Sequence, residues 1–164
     1  MLRPALAGDV PAIAGILNAE IRGGTASWRT APVSDEDMAD WLVERLSAGR
    51  PVLVAEADGR VAGYGSYGAF RSGGGYAGTV EHSVYVAASF RRRGIATALL
   101  ETLIARARDD GLACMVGGIS ADQAASLALH EKLGFHEAGR LAGVGRKFGR
   151  PLDLVLMLLA LDAG

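Results

Sequence analysis

The sequence predicts a mixed α/β fold, and three observations carry that expectation. Apolar residues recur first at helical spacing, then run or alternate at the period of strands, then return to helical spacing, so helices and strands interleave. A basic turn, Arg91-Arg92-Arg93-Gly94, stands between a strand pattern and a helix pattern. At 164 residues, 50% of them hydrophobic and 21% charged, the chain has the size and composition of one domain with its own core, spanning residues 1–164.

Each element follows from a local pattern. After a short opening strand, Asp9 to Gly23 reads as a helix, with Asp9 as N-cap, Pro11 in the first turn and a stripe of Ile13, Ile16, Leu17 and Ile21. Ser34 to Ala48 reads as a second: Ser34 and Asp37 form a capping-box pattern, and Met38, Trp41, Leu42 and Leu46 share a face. Pro51 to Glu56 and Arg60 to Phe70 flank the turn Asp58-Gly59 and predict a β-hairpin. Gly73-Gly74-Gly75 is a loop, and Tyr76 to Val86 is the next strand. In that strand Val80, His82, Val84 and Val86 fall on one face, and Thr79, Glu81, Ser83 and Tyr85 on the other. A helix from Gly94 to Asp110, stopped by Gly111, carries Ile95, Leu99, Leu103 and Ala107 at helical spacing. Ala113 to Ile119 is a buried strand, Asp122 to Leu133 a helix ended by Gly134, and two strands finish the chain. The predicted order is β-α-α-β-β-β-α-β-α-β-β.

Composition narrows the function. A net charge of −1 leaves no broad basic surface, so neither nucleic acid nor an anionic membrane is an expected partner. The N-terminus has no apolar h-region, so no secretory signal is expected. The longest apolar run, Leu152 to Leu161, is broken by Asp153 and far shorter than the roughly 20 residues of a membrane helix. The single cysteine, Cys114, cannot form an internal disulfide, which fits a cytoplasmic location. It falls in a buried strand pattern and is expected to pack, not to react.

Two motif matches fail on context. Gly63-Tyr64-Gly65-Ser66-Tyr67-Gly68 fits G-x-G-x-x-G but lies in a predicted strand with no helix opening behind it, so it is no dinucleotide site. His130-Glu131 and His136 have the wrong spacing for a zinc motif, and no metal is expected.

The turn before the third long helix is different. A helix start offers unpaired N–H groups and partial positive charge, Gly94 allows close backbone approach, and three arginines add charge. Phosphate binding and a solvated basic turn are both open on this segment alone. Glu81 also stands out, because a mid-strand carboxylate without a partner is costly. It is either a functional base or a structural carboxylate bound to its neighbours.

Arg91-Arg92-Arg93-Gly94-Ile95-Ala96 resembles the Q/R-x-x-G-x-G/A loop of the GNAT N-acetyltransferases, and the order of elements is similar to their fold. Four further segments resemble the phosphinothricin and methionine sulfoximine N-acetyltransferase subgroup: Ala26-Ser27-Trp28, Thr79 to Val86, Leu129 to Phe135, and Gly145-Arg146-Lys147-Phe148-Gly149-Arg150. The resemblance spans nearly the whole chain. It implies that acetyl-CoA is the co-substrate. The backbone of Val84, Tyr85 and Val86 would pair with the pantetheine arm, and the N–H groups of Arg91 to Ala96 would hold the pyrophosphate. Gln123, where the family usually has asparagine, and Lys132 would add cofactor contacts. The acetyl thioester would lie where two parallel strands splay beside Glu81, the general base.

His130 occupies the slot of a family tyrosine that returns a proton to the leaving thiolate; catalytic acid and satisfied histidine are both open. His82, on the apolar face, is expected to be structural. Arg71 would clamp a substrate carboxylate, and Trp28 and Tyr76 would wall its pocket. The chain departs from the subgroup at Gln123, at Pro151 in place of a late tryptophan, and in the small loop Ser72 to Gly75. The implied function is acetyl transfer to the primary amine of a small amino-acid analogue by a homodimeric enzyme. The alternatives are acetylation of a protein N-terminus or another small amine, and an acyl-CoA sensor without turnover. A retained Glu81 speaks against the sensor.

Overall fold

Strand pairing organises the chain. In the computed structural model, which describes residues 1–161, the elements are β1 (Leu2–Pro4), α1 (Val10–Gly23), α2 (Asp35–Ser47), β2 (Val52–Ala57), β3 (Arg60–Ala69), β4 (Thr79–Val86), α3 (Ile95–Asp109), β5 (Cys114–Ser120), α4 (Ala124–Lys132), β6 (His136–Lys147) and β7 (Arg150–Ala160). This is the predicted order. The strands form one seven-stranded sheet, β1-β2-β3-β4-β5-β7-β6, antiparallel except between β4 and β5.

Local chemistry explains most boundaries. Ser34 and Asp37 form the reciprocal capping box at α2. Asp58 and Gly59 both take positive φ, as a tight hairpin turn requires, and Phe148 and Gly149 do the same between β6 and β7. Asp9 stands at the N-cap position of α1 but makes no cap bond. Its carboxylate instead accepts the Leu6 N–H and pairs with Arg3 at 2.7 Å. The strand expected from Tyr76 begins at Thr79, because Gly74–Tyr76 winds into one 3₁₀ turn and pairing with β3 reaches only Ala69↔Val80. Cys114 is half-buried at the start of β5.

Two cores sandwich the sheet. Leu100, Leu103, Ile104, Met115, Val155 and Met157 gather under α3 and α4 on one face; Ile13, Leu17, Leu42, Val54 and Tyr64 gather under α1 and α2 on the other. The glycines of β3 serve this packing: a Cβ at Gly63 would meet the Tyr85 carbonyl at 2.8 Å, and one at Gly65 would meet Leu103 at 3.1 Å. The alternation of β4 therefore points His82 toward the α3/α4 core, and Glu81, Ser83 and Tyr85 toward α1 and α2. No described helix is long and apolar enough to cross a membrane.

Candidate active site

The parallel pair β4 and β5 stays hydrogen-bonded only from Thr79↔Cys114 to Glu81↔Val116. Beyond that point β4 follows β3 and β5 follows β7, so the two strands part. From His82 to Val86 the β4 edge that faces β5 has no strand partner, a ready template for an extended ligand chain. A cleft of about 480 Å³ fills the gap, lined among others by Val84, Tyr85, Val86, Gly117, Ser126 and His130.

At one end of the cleft stands the N-terminus of α3. Gly94 is the N-cap residue at φ 77°, Arg92 precedes it at φ 61°, and no side chain caps the helix. The first N–H groups of α3 therefore remain free for an anion, without any acidic residue in the first turn to compete. Arg91, Arg92, Gly94, Ile95 and Ala96 all line the cleft; Arg93 does not. Arg93 turns away to pair with Asp58 at 3.0 Å, and Arg91 pairs with Glu20 at 2.8 Å. Of the three arginines only Arg92 makes no ion pair among the described residues.

At the point of divergence lies Glu81. Its residue surface is exposed, and its carboxylate takes no hydrogen bond among the described residues. It sits over the backbone of β5, where a Cβ at Gly118 would meet Oε1 at 3.1 Å. Crowding by protein atoms raises its pKa above the ordinary value, and the guanidinium of Arg71 opposes that shift. An unpaired carboxylate with a raised pKa beside an open cleft is chemically equipped to accept a proton.

Across the cleft His82 and His130 stack at 5.0 Å, with their Nε2 atoms 3.0 Å apart. Gly117 gives them room: a Cβ there would meet His82 Nε2 at 2.9 Å. The Ser126 carbonyl lies 2.6 Å from His130 Nδ1 and so fixes the proton on that atom. His130 Nε2 is then an acceptor for the His82 Nε2–H, and the buried His82 Nδ1 is left without a partner. Burial pushes the His82 pKa down to about 3, helped by His130, and burial also lowers that of His130 against the pull of the Ser126 carbonyl. Both rings are neutral near pH 7. We expect stability to fall as pH drops from about 6.5 toward 3, because the unfolded chain then binds protons that the native pair refuses. Thermal denaturation across that range checks this, with His82→Leu predicted to flatten the slope.

Residues 14–135 match the family model of the Acetyltransferase (GNAT) family. The chain belongs to that family. It is an acetyl-CoA-dependent N-acetyltransferase. It is 46% identical over 162 residues to the L-methionine sulfoximine/L-methionine sulfone acetyltransferase of Pseudomonas aeruginosa, covering 98% of this chain and 94% of that protein. It is 41% identical over 157 residues to the phosphinothricin N-acetyltransferase of Alcaligenes faecalis, covering 95% and 80%. A GNAT superfamily phosphinothricin acetyltransferase from Sinorhizobium meliloti, solved in complex with acetyl-CoA, superposes with a TM-score of 0.97 at 34% identity, over 100% of this chain and 89% of that one.

The remaining site candidates of this GNAT chain fall into place unevenly. Arg71 stacks on Phe70 at 5.1 Å, and Phe70 meets Tyr76 edge-on at 6.0 Å, so these three sit together at the Glu81 end of β4. Phe70 has no sequence signal beyond closing a strand. Gln123 lines the cleft at the start of α4, but its amide donates to Thr25 Oγ1 at 2.7 Å. The assignment follows from Thr25 spending its own proton on Asp122. Lys132 is exposed in the last turn of α4 and lies off the cleft, because Ser126, Leu129 and His130 occupy the helical face that lines it. Trp28 is half-buried with its ring laid directly on the backbone of Gly145.

Sequence reasoning does not reach Glu20, which is 9% exposed and lines the cleft. A signal exists: a carboxylate three residues after Leu17 falls on the apolar stripe of α1.

Proposed function

We propose that this enzyme acetylates the primary amine of a small amino-acid analogue of the methionine sulfoximine, methionine sulfone or phosphinothricin type, with Glu81 as general base. One observation carries the reading: the strands part immediately after Glu81, so an unpaired carboxylate stands beside a cleft that ends at an uncapped helix N-terminus. The names of the relatives support the substrate class.

Acetyl-CoA supplies an activated acetyl thioester. The β4 edge at Val84 to Val86 holds the extended arm, and the N–H groups around Gly94 bind the pyrophosphate, which fixes the depth of the thioester in the cleft. An α-amino group of pKa roughly 8 is mostly protonated at pH 7, so Glu81 takes its proton, directly or through one water; the freed amine attacks the thioester carbonyl, the C–S bond breaks, and the departing thiolate takes up the proton that the new amide nitrogen sheds. The neutral His82–His130 pair positions the wall behind the cleft; with its Nε2 lone pair occupied, His130 is proposed to act on the reaction as a fixed dipole and not as a proton donor.

A thiol-release assay across methionine sulfoximine, methionine sulfone, phosphinothricin, free amino acids and short peptides tests the substrate class. Turnover of the analogues is expected; turnover of peptides alone would overturn the reading in favour of a protein N-terminus. Arg71 is proposed to bind the substrate carboxylate. Arg71→Ala is expected to raise KM for these substrates by the equivalent of about 1.5–3 kcal/mol, the worth of a charged hydrogen bond, with kcat little changed. Unaltered KM on every substrate would remove Arg71 from the pocket.

A single sheet built from both ends of the described chain supports one catalytic domain. Edge strand β6 is exposed along nearly its whole length, Leu141 and Val144 included, which supports a homodimer formed there. Sedimentation should then give a dimer that Leu141→Arg dissociates. The cofactor and the lone cysteine favour a cytoplasmic location.

A further inference from the structure

The segment Gly145 to Arg150 has no role in the chemistry above, yet it makes an unusual set of contacts. Lys147 is 4% exposed and makes no ion pair with a carboxylate among the described residues. Its ammonium group donates to three backbone carbonyls instead: Gly24 at 2.6 Å, Ser27 at 2.6 Å and Glu20 at 3.3 Å. All three of its donors are thereby used, and the ring of Phe148 lies 4.9 Å away. Two residues earlier, Gly145 carries the Trp28 ring on its backbone, and a Cβ there would collide with that ring. Arg150 pairs at 2.6 Å with Asp122, which accepts the Thr25 hydroxyl at 2.8 Å.

The Lys147 hydrogen bonds and the Gly145–Trp28 contact end in the stretch from Glu20 to Trp28, and Arg150 reaches the same stretch through Asp122 and Thr25. That stretch borders the Glu81 face of β4: Ala26 lines the cleft, and Ser27 stands beside the Tyr85 phenol, whose pKa burial raises and Ser27 opposes. The other anchor is Glu20, whose carboxylate accepts the Ala26 N–H at 3.0 Å and pairs with Arg91 of the phosphate loop. Glu81 points to this same face of the sheet.

We infer that Lys147 is a positioning residue for the amine: with Gly145 as a seat for Trp28, it clamps Gly24–Trp28 as the fixed wall of the substrate pocket. The inference rests on Trp28 walling that pocket. A buried ammonium binding carbonyls suits the task, since three directed donors fix a loop that has no strand or helix of its own.

Three variants separate the possibilities: Lys147→Met, which keeps the length and removes the donors; Gly145→Ala, which displaces Trp28 while leaving Lys147 intact; and Trp28→Ala. Kinetics with methionine sulfoximine and calorimetry with acetyl-CoA are run on each folded protein. All three are expected to raise KM for the amine about tenfold or more, with kcat within about threefold and acetyl-CoA affinity within about twofold. In a Trp41→Phe background Trp28 is the sole tryptophan, and Gly145→Ala should shift its emission and reduce the change produced by the amine. If Trp28→Ala leaves the amine KM unchanged, the wall itself is misassigned. If Trp28→Ala raises it and both other variants do not, the pocket reading stands and the clamp is wrong. Equal losses toward amine and acetyl-CoA in Lys147→Met would reduce Lys147 to a general support and overturn its role in positioning the amine.

Discussion

Gly94→Val is expected to cut acetyl-CoA affinity by at least about tenfold in a protein that still folds. Gly94 sits at φ 77°, where a β-branched residue is strained by roughly 1–2 kcal/mol, and relief of that strain would rotate the first N–H groups of α3 off their common target. Nothing in the protein lies within 4 Å of a Cβ at this position, so the loss cannot come from an internal clash. Gly94→Asn separates the two remaining causes. Asparagine tolerates the left-handed conformation but still carries a Cβ. Affinity retained in Asn and lost in Val identifies the backbone angle; affinity lost in both identifies close approach of the phosphate. Calorimetry showing wild-type affinity for Gly94→Val would move the pyrophosphate elsewhere.

The same loop shows where sequence reasoning stops. The turn, the glycine and the helix start are local, and the structure places them as expected. The charge of the three arginines is not local. Arg91 is committed to Glu20, 71 residues away, and Arg93 to Asp58, 35 residues away, so their count overstates what the loop offers an anion. His82 and His130 repeat the point. The two-residue period of β4 puts His82 on the buried face, but its partner lies 48 residues on, and the burial that lowers the His130 pKa is a product of the tertiary fold. The early start expected for β4 has another cause: Tyr76 is apolar enough to extend the pattern, while Gly73 at φ 109° and the 3₁₀ turn consume those residues before pairing begins. Element order was legible because most helices and strands bury their own stripe, as α1, α3 and β7 do. The substrate wall was not, because Gly24 to Trp28 has no period at all and is held by contacts from the far end of the chain.

Glu81→Gln is expected to lower kcat by about 10²–10⁴-fold while acetyl-CoA binds as before, since the amide keeps the shape and loses the proton acceptor. The wild-type rate should rise with pH as Glu81 ionises and then level off, with the inflection above the usual glutamate range because its pKa is raised. In the variant the deficit should narrow at high pH, where the amine arrives already neutral. Stability gives an independent check with a definite sign. A carboxyl whose native pKa lies above its unfolded value favours the fold in its protonated form, and that advantage is gone once pH exceeds the native pKa. Once ionised, Glu81 contributes nothing to the fold through its charge, and the neutral amide should leave Tm unchanged or slightly higher. A structural carboxylate predicts the opposite pair of results: a lower Tm and an intact kcat per folded molecule. No hydrogen bond or ion pair to Glu81 exists among the described residues to be lost, which is why kcat, and not Tm, is the quantity expected to fall.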